Sequence, residues 1–278
     1  MIAQIIAWLN GWMNALSGVL RGPMSAMPPW LSLTIISSVL GVVLLIPVKY
    51  ISPQTAISRV RDRIKARLLA MKLFKDNIPV VLKSQAQVII AALMLPVYML
   101  PPVLVMLLPF SLVLGQMGVW YQASPLDVNE QAVITMQLSE SENSPIPSVS
   151  LAPTDAVNLV AGPVRVPSKQ QVYWKIKATR AGVHQLQFDV GNSRVSKELS
   201  VGSGFMPVSM KRPAMHIGDL ILYPAETPFD KDSVVQSIEI GYPDRDGFVT
   251  GSDNWVISLF VISMLGALAV KPFFNVKI

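Results

Sequence analysis

Three long runs of uncharged, mainly apolar residues constrain this chain more than any other feature of its sequence. They cover residues 30–48, 88–121 and 255–270. A helix crosses a hydrocarbon core about 30 Å thick with about 20 apolar residues. Because the chain is 51% hydrophobic and only 14% charged, with a mean hydropathy of +0.47, the runs predict an integral membrane protein.

The second run is too long for one span and too short for two spans with a turn between them. The pair Pro101-Pro102 is expected to divide it, since a residue that precedes proline is disfavoured in the helical region. Residues 88–100 then belong to a cytoplasmic helix that reaches the interface, and 101–121 form the second span. The third span, 254–271, is short, with Lys271 able to extend toward the membrane surface.

Residues 49–87 carry nine basic side chains against two acidic ones, a net charge of +7. Apolar residues recur there at helical spacing, at Ile57, Val60, Ile64, Leu68 and Met71. Ser52 and Pro53 are typical of a helix start. Asp76, Asn77 and Pro79 are expected to stop this helix and to cap a second one. The pattern predicts an antiparallel, coiled-coil-like helical hairpin.

Charge also predicts the orientation, because cytoplasmic loops are enriched in Lys and Arg. The +7 segment is expected in the cytoplasm, which puts the N-terminus outside, residues 122–253 in the periplasm or extracellular space, and the C-terminus inside, in a bacterial inner (plasma) membrane. Trp30, Trp120, Tyr121 and Trp255 then fall at the outer interface, where aromatic residues are enriched.

Residues 1–21 are helix-patterned, with apolar residues on one broad face and Gln4, Asn10, Asn14 and Ser17 largely elsewhere. This pattern predicts an amphipathic helix that lies in the membrane interface.

In residues 122–253 the apolar side chains recur at every second position instead of at helical spacing. Ala132, Ile134, Met136 and Leu138 alternate with polar neighbours, and similar alternation follows at 172–178, 186–190 and 195–201. Gly191-Asn192 and residues 180–182 are turn signals, and 140–156 is expected to be a loop. About seven short strands predict an immunoglobulin-like sandwich. Lys197 falls on the inward phase of its strand, which favours an edge strand or a bulge.

The sequence contains no motif for nucleotide binding, hydrolysis or zinc binding, and it has no cysteine. We therefore expect no enzyme activity, no cofactor and no metal site. Polar residues within the predicted spans are candidates for a mildly hydrophilic groove that receives a client chain: Ser32, Thr34, Ser37, Ser38, Ser111 and Gln116. The alternative is helix packing, with Ser37-x-x-x-Gly41 and Ser263-x-x-x-Ala267 allowing close backbone approach.

The basic residues of the hairpin form the second candidate site: Arg59, Arg61, Arg63, Lys65, Arg67, Lys72 and Lys75. They either dock an acidic partner, such as a ribosome or a nascent chain, or only set the topology of a solvated loop. No specific DNA binding is expected. The predicted partners are the lipid bilayer and other membrane proteins, as clients or complex subunits.

The order of these segments resembles the YidC/Oxa insertase superfamily. The residues that carry the resemblance are "RDRIKARLLAMKLFKDNIPVVLKSQ", "PPVLVMLLPF" and the closing "WVISLFVISMLGALAVKPFFNV". The chain is similar to the compact three-span form of the third subunit of the ER membrane protein complex and of archaeal YidC-like proteins. The resemblance implies insertion or folding of other membrane proteins without nucleotide hydrolysis. The added outer domain opens the alternative of a non-catalytic scaffold or accessory subunit that binds a periplasmic partner.

The fold class expected is therefore an α-helical membrane protein of three transmembrane helices and a cytoplasmic hairpin, with an all-β sandwich inserted between spans two and three. The segments are an interfacial helix (1–29), span one (30–48), the basic hairpin (49–100), span two (101–121), the β-sandwich (122–253), span three (254–271) and a cytoplasmic tail (272–278).

Overall fold

The computed structural model describes residues 2–51, 54–139, 147–252 and 254–274. The chain forms two compact units. The β-containing unit comprises Met1–Leu33 and Ser111–Ser258, and the helical unit comprises Thr34–Phe110 and Leu259–Ile278. The helices are α1 (Ile2–Ser25), α2 (Pro29–Ile51), α3 (Gln54–Leu73), α4 (Ile78–Tyr121), α5 (Ile217–Leu222) and α6 (Trp255–Phe274).

The β-containing unit holds two antiparallel sheets. The strands are β1 (Gln131–Leu138), β2 (Val149–Leu151), β3 (Val157–Val166), β4 (Gln171–Ala178), β5 (Gly182–Val190), β6 (Ser193–Val201), β7 (Lys211–Arg212) and β8 (Val235–Ile240). One sheet has the order β3-β4-β1-β8-β7 and the other β2-β5-β6. Their apolar residues share one buried core, in which Trp174 of β4 contacts Phe188 of β5 with ring centroids 5.3 Å apart.

Alternation identified the principal strands correctly. Ile134 and Met136 of β1 are fully buried while Val133, which precedes them, is exposed, and the predicted turn at Gly191 joins β5 to β6 as a hairpin. The predicted loop 140–156 was wrong in part, because β2 lies within it and pairs with β5. Residues 140–146 of that loop lie outside the described residues.

The predicted separation of the basic segment into two helices is confirmed. The first is α3, and its expected start at Ser52 and Pro53 lies outside the described residues. Asn77 caps the second helix, since its Oδ1 accepts a hydrogen bond from the amide of Val80 at 3.3 Å.

The prediction that Pro101-Pro102 divides the second apolar run was wrong, because α4 is one continuous helix of 44 residues. The physical reason is the surroundings of the helix. Backbone groups freed by a break need other partners, and an apolar environment offers none to an exposed segment, so a helix tolerates proline better there than in water.

Among the described residues, three helical segments are long and apolar enough to cross a membrane: Pro29–Pro47, Ile78–Tyr98 and Val103–Tyr121. The chain is thus a membrane protein by the length and composition of its helices. Two details differ from the sequence prediction. The sequence predicts that Ile78–Tyr98 belongs to the cytoplasmic hairpin, whereas its length and composition suit a span. The predicted third span is a shorter apolar helix, Trp255–Lys271.

Within the helical unit, small residues bring the backbones of α2 and α6 together. A Cβ atom added at Gly41 would lie 2.0 Å from the carbonyl oxygen of Ser263, and one added at Gly266 would lie 3.1 Å from the Cα of Ser38. The close backbone approach predicted at Gly41 and Ser263 is therefore confirmed.

We expect Gly41→Ala to lower the stability of the protein in detergent by about 1–3 kcal/mol, because the new methyl group would overlap the backbone of α6. The matched control is Gly18→Ala in α1, where no atom lies within 4 Å of the added Cβ. Thermal unfolding of the purified variants checks both, and equal midpoints for the two would contradict close packing of α2 on α6.

Candidate functional site

The six polar residues predicted to line a groove are divided between the two compact units. In the β-containing unit, the hydroxyls of Ser32 and Tyr121 are hydrogen-bonded at 2.7 Å, and Gln116 donates to Asn14 of α1 at 2.8 Å. Ser111 is half-buried on α4. Ser32 and Gln116 are therefore engaged in contacts between helices.

The other three groove candidates lie in the helical unit. The Ser38 hydroxyl donates to the carbonyl of Thr34 at 2.8 Å, and the Ser38 backbone contacts α6 at Gly266. Ser37 is fully buried, and its hydroxyl has no hydrogen-bond partner among the described residues. These positions favour helix packing, and contact with a client chain stays a prediction.

The basic residues of the second candidate site lie on α3 and in the turn after it. Arg61 is half-buried, and the remaining members of the set are exposed: Arg59, Arg63, Lys65, Arg67, Lys72 and Lys75. Of the predicted apolar stripe, only Ile57 and Val60 are buried, at 0% and 4% exposure. In the second half of α3, Ile64 and Met71 are half-buried, and Leu68, Leu69 and Leu73 are exposed.

These uncovered residues form what we call the hairpin tip, the end of α3 and the start of α4. It consists of Leu68, Leu69, Leu73, Phe74, Ile78 and Leu82, each between 49% and 69% exposed. Arg67, Lys72 and Lys75 lie among them in the sequence. Sequence reasoning missed this site, although Leu69, Leu73 and Phe74 depart from the stripe of α3.

A second exposed surface covers the middle of α4. It is the apolar belt, residues 89–108, in which the large aliphatic side chains from Ile89 to Leu108 are mostly exposed on all sides of the helix. In sequence, no charged residue occurs between Lys83 and Asp127. The surface can therefore contact only apolar material without a large desolvation cost.

The aromatic residues expected at a lipid interface form a buried cluster in the β-containing unit. Trp120, Tyr121 and Trp255 are only 3%, 0% and 6% exposed. Phe205 packs against both Trp120 and Tyr121 with ring centroids 5.3 Å apart, and Arg245 lies 5.2 Å from the Phe205 ring. Trp30 is 57% exposed, whereas the other three are covered by protein and do not face lipid. Their predicted level at the outer interface stays a prediction.

Lys197 forms a buried ion pair in the β-containing unit. Its Nζ donates to Glu226 Oε1 at 2.6 Å, to the carbonyl of Ser209 at 2.6 Å and to the carbonyl of Glu198 at 2.9 Å. Ser209 Oγ also bonds to Glu226. The predicted edge position is confirmed, since β6 is an edge strand, and its register with β5 shows no bulge.

The chemistry of this pair is structural. Burial lowers the pKa of Lys197, and the nearby carboxylate of Glu226 opposes that shift. The lysine donors are occupied by fixed acceptors, and the side chain is 0% exposed. A buried ammonium held this way links β6 to the segments that carry Ser209 and Glu226.

The described residues contain no group of three or more His, Asp and Glu side chains that could hold a metal ion. Comparison of the chain with protein-family models, curated proteins and solved structures gave no match.

We expect Glu226→Gln to destabilise the β-containing unit by about 3–5 kcal/mol, because it leaves the Lys197 charge buried without its partner. The double variant Lys197→Met with Glu226→Met should recover most of that loss. Near-ultraviolet circular dichroism during thermal unfolding of the full chain measures the stability of each variant.

The control is Arg194→Met, which removes an exposed ion pair with Asp189 and should change stability by about 0–1 kcal/mol. A Glu226→Gln variant as stable as Arg194→Met would contradict the role given to the buried pair.

Proposed function

We propose that the protein is an insertase-like membrane protein that assists the insertion or folding of other membrane proteins without nucleotide hydrolysis. The observation that carries the proposal is the hairpin tip, an exposed apolar surface with basic residues among it. In this proposal the tip faces the cytoplasm and the β-containing unit faces the periplasm or the outside.

The composition of the tip fits an unfolded membrane segment emerging from a ribosome. Such a segment exposes apolar side chains, and each Å² of apolar surface removed from water contributes about 25 cal/mol. Phe74, Leu69 and Leu73 offer that surface. Arg67, Lys72 and Lys75 add attraction for ribosomal RNA or for acidic residues beside the client segment.

The apolar belt of α4 supplies the second step, since it belongs to the same helix as Ile78 and Leu82 of the tip. Lys83 and Gln85 are exposed between the tip and the belt. A client segment that moves along α4 past these residues enters the lipid around the apolar belt.

A second candidate function is that of a non-catalytic accessory subunit that holds a partner outside the membrane. An open groove of about 1260 Å³ in the β-containing unit favours it. Charged side chains of both signs line the groove, among them Lys211, Asp219, Lys231 and Glu239. Mixed charge with exposed apolar neighbours fits a segment of another protein.

Photo-crosslinking from Phe74 and His216 separates the two functions. Insertase activity predicts crosslinks from Phe74 at the hairpin tip to nascent membrane proteins. Crosslinks from His216 in the groove to one stable subunit, with only lipid or solvent adducts from Phe74, would instead identify an accessory subunit. A crosslinker at Asn192, on the exposed β5–β6 turn, is the control for non-specific capture.

Neutralising the tip tests the electrostatic part of the proposal. We expect Arg67→Gln, Lys72→Gln and Lys75→Gln together to reduce client insertion into proteoliposomes by about tenfold, because each charge contributes about 0.5 kcal/mol at an exposed site. The matched control replaces Lys169, Lys175 and Arg180, which are exposed in the β-containing unit.

Orientation must be shown to be unchanged, and six basic residues of the 49–87 segment remain to set it. Because the chain has no cysteine, labelling of an Asn192→Cys variant reports which side of the membrane the β5–β6 turn occupies. Equal insertion by the tip variant and its control, with orientation preserved, would show that the basic residues do not dock a client.

A further inference from the structure

Helix α4 is longer than a membrane span, and its composition does not show which part of it lies in the bilayer. A helix of 44 residues is about 66 Å long, while the hydrocarbon core needs only about 30 Å of it. Hydropathy offers two segments of nearly equal quality, Ile78–Tyr98 and Val103–Tyr121. The contacts of α4 decide between the positions it can take in the bilayer.

The last three turns of α4 are covered by protein. Leu112 packs with Ile6 of α1 and Leu220 of α5. A Cβ atom added at Gly115 would lie 1.9 Å from the carbonyl oxygen of Ile221, so the two backbones touch. These turns belong to the β-containing unit and offer little surface to lipid.

The chain that covers these turns cannot enter hydrocarbon. The amide of Val208 donates to the carbonyl of Val119 at 2.8 Å, and residues 202–210 beside it form neither helix nor a paired strand. Ser203 and Gly204 of this segment are exposed. Irregular backbone exposed to lipid does not occur within the hydrocarbon region, because its polar groups would lack partners. The end of α4 near Val119 therefore lies outside the hydrocarbon core.

Helix α1 adds polar groups at the same level of α4. Asn10 donates to the carbonyl of Leu220 at 2.7 Å, Asn14 donates to that of Pro224 at 2.7 Å, and the Trp120 indole N–H donates to Ser17 at 3.3 Å. Asn10, Asn14 and Ser17 of α1 thus contact the rest of the β-containing unit instead of forming a polar face turned to solvent. Its exposed residues include the apolar Ile5, Trp8 and Trp12 as well as Gln4 and Ser25.

The apolar belt, residues 89–108, has the opposite properties. Its large side chains are exposed around the whole helix rather than on one face, and only 6% of the segment Ile78–Tyr98 is buried. A length of about 20 residues matches the hydrocarbon core. A helix that is apolar on all sides and is not covered by protein is typical of a segment embedded in lipid.

We propose that α4 crosses the bilayer with residues 89–110 and that residues 111–121 extend beyond it as a stalk within the β-containing unit. The occupant of the apolar belt is lipid hydrocarbon. Lys83 then lies just inside the cytoplasmic surface, and α1 lies at the outer surface beside the stalk, where Trp8 and Trp12 suit the interface. The proposal does not rest on insertase activity.

Quenching by brominated lipids tests this position. The chain has no cysteine, so an environment-sensitive fluorophore can be attached to single cysteines in the full protein reconstituted in nanodiscs. Leu93→Cys and Val97→Cys distinguish the two possible spans of α4. Both positions lie in the hydrocarbon if residues 89–110 span the bilayer, and outside it if residues 102–121 do. Leu104→Cys lies in the hydrocarbon in both cases, and Leu73→Cys on α3 in neither.

We expect brominated acyl chains to reduce the emission at positions 93 and 97 by the same factor as at 104, with no loss at 73. Unquenched emission at 93 and 97, equal to that at 73, would overturn the proposal. Self-quenching between labels, without an effect of bromine, would identify a second copy of the chain as the occupant and would also overturn it. Ile90→Cys replaces either variant that fails to fold.

Discussion

A segment exposed to hydrocarbon must satisfy its backbone polar groups internally, and this constraint explains how the chain is divided. The helices α2, α4 and α6 meet it over the parts that belong to the helical unit, residues 34–110 and 259–278. The irregular segment beside Val119 does not meet it, and neither does the extended backbone of the two sheets. These parts form a separate unit with its own buried core.

Within the β-containing unit, stability depends on hydrogen bonds that replace lost water. The side chains of Asn10 and Asn14 bind carbonyls at the end of α5 that no helical amide could satisfy. The Lys197 ammonium does the same for the carbonyls of Ser209 and Glu198 while Glu226 balances its charge. A buried polar side chain is costly unless its hydrogen bonds are made. Because only one arrangement of the surrounding segments provides these partners, each of these groups favours that arrangement.

Local patterns predicted the local structure. Alternation located β1, and the cap at Asn77 and the edge position of Lys197 followed from single residues and their neighbours. Contacts between distant segments were beyond reach of such patterns. Nothing near Lys197 in the sequence indicates Glu226 as its partner, and nothing near Trp120 indicates that Phe205 would shield it from lipid. The proline rule failed at Pro101 because it describes chains in water.

The most direct test of the account is a cryo-electron microscopy structure of the full chain in lipid nanodiscs. The account predicts a lipid belt centred on α4 near Leu100, with the aromatic cluster of Trp120 and Tyr121 outside it. A lipid belt centred near Leu112, with Trp120 at its edge, would contradict it.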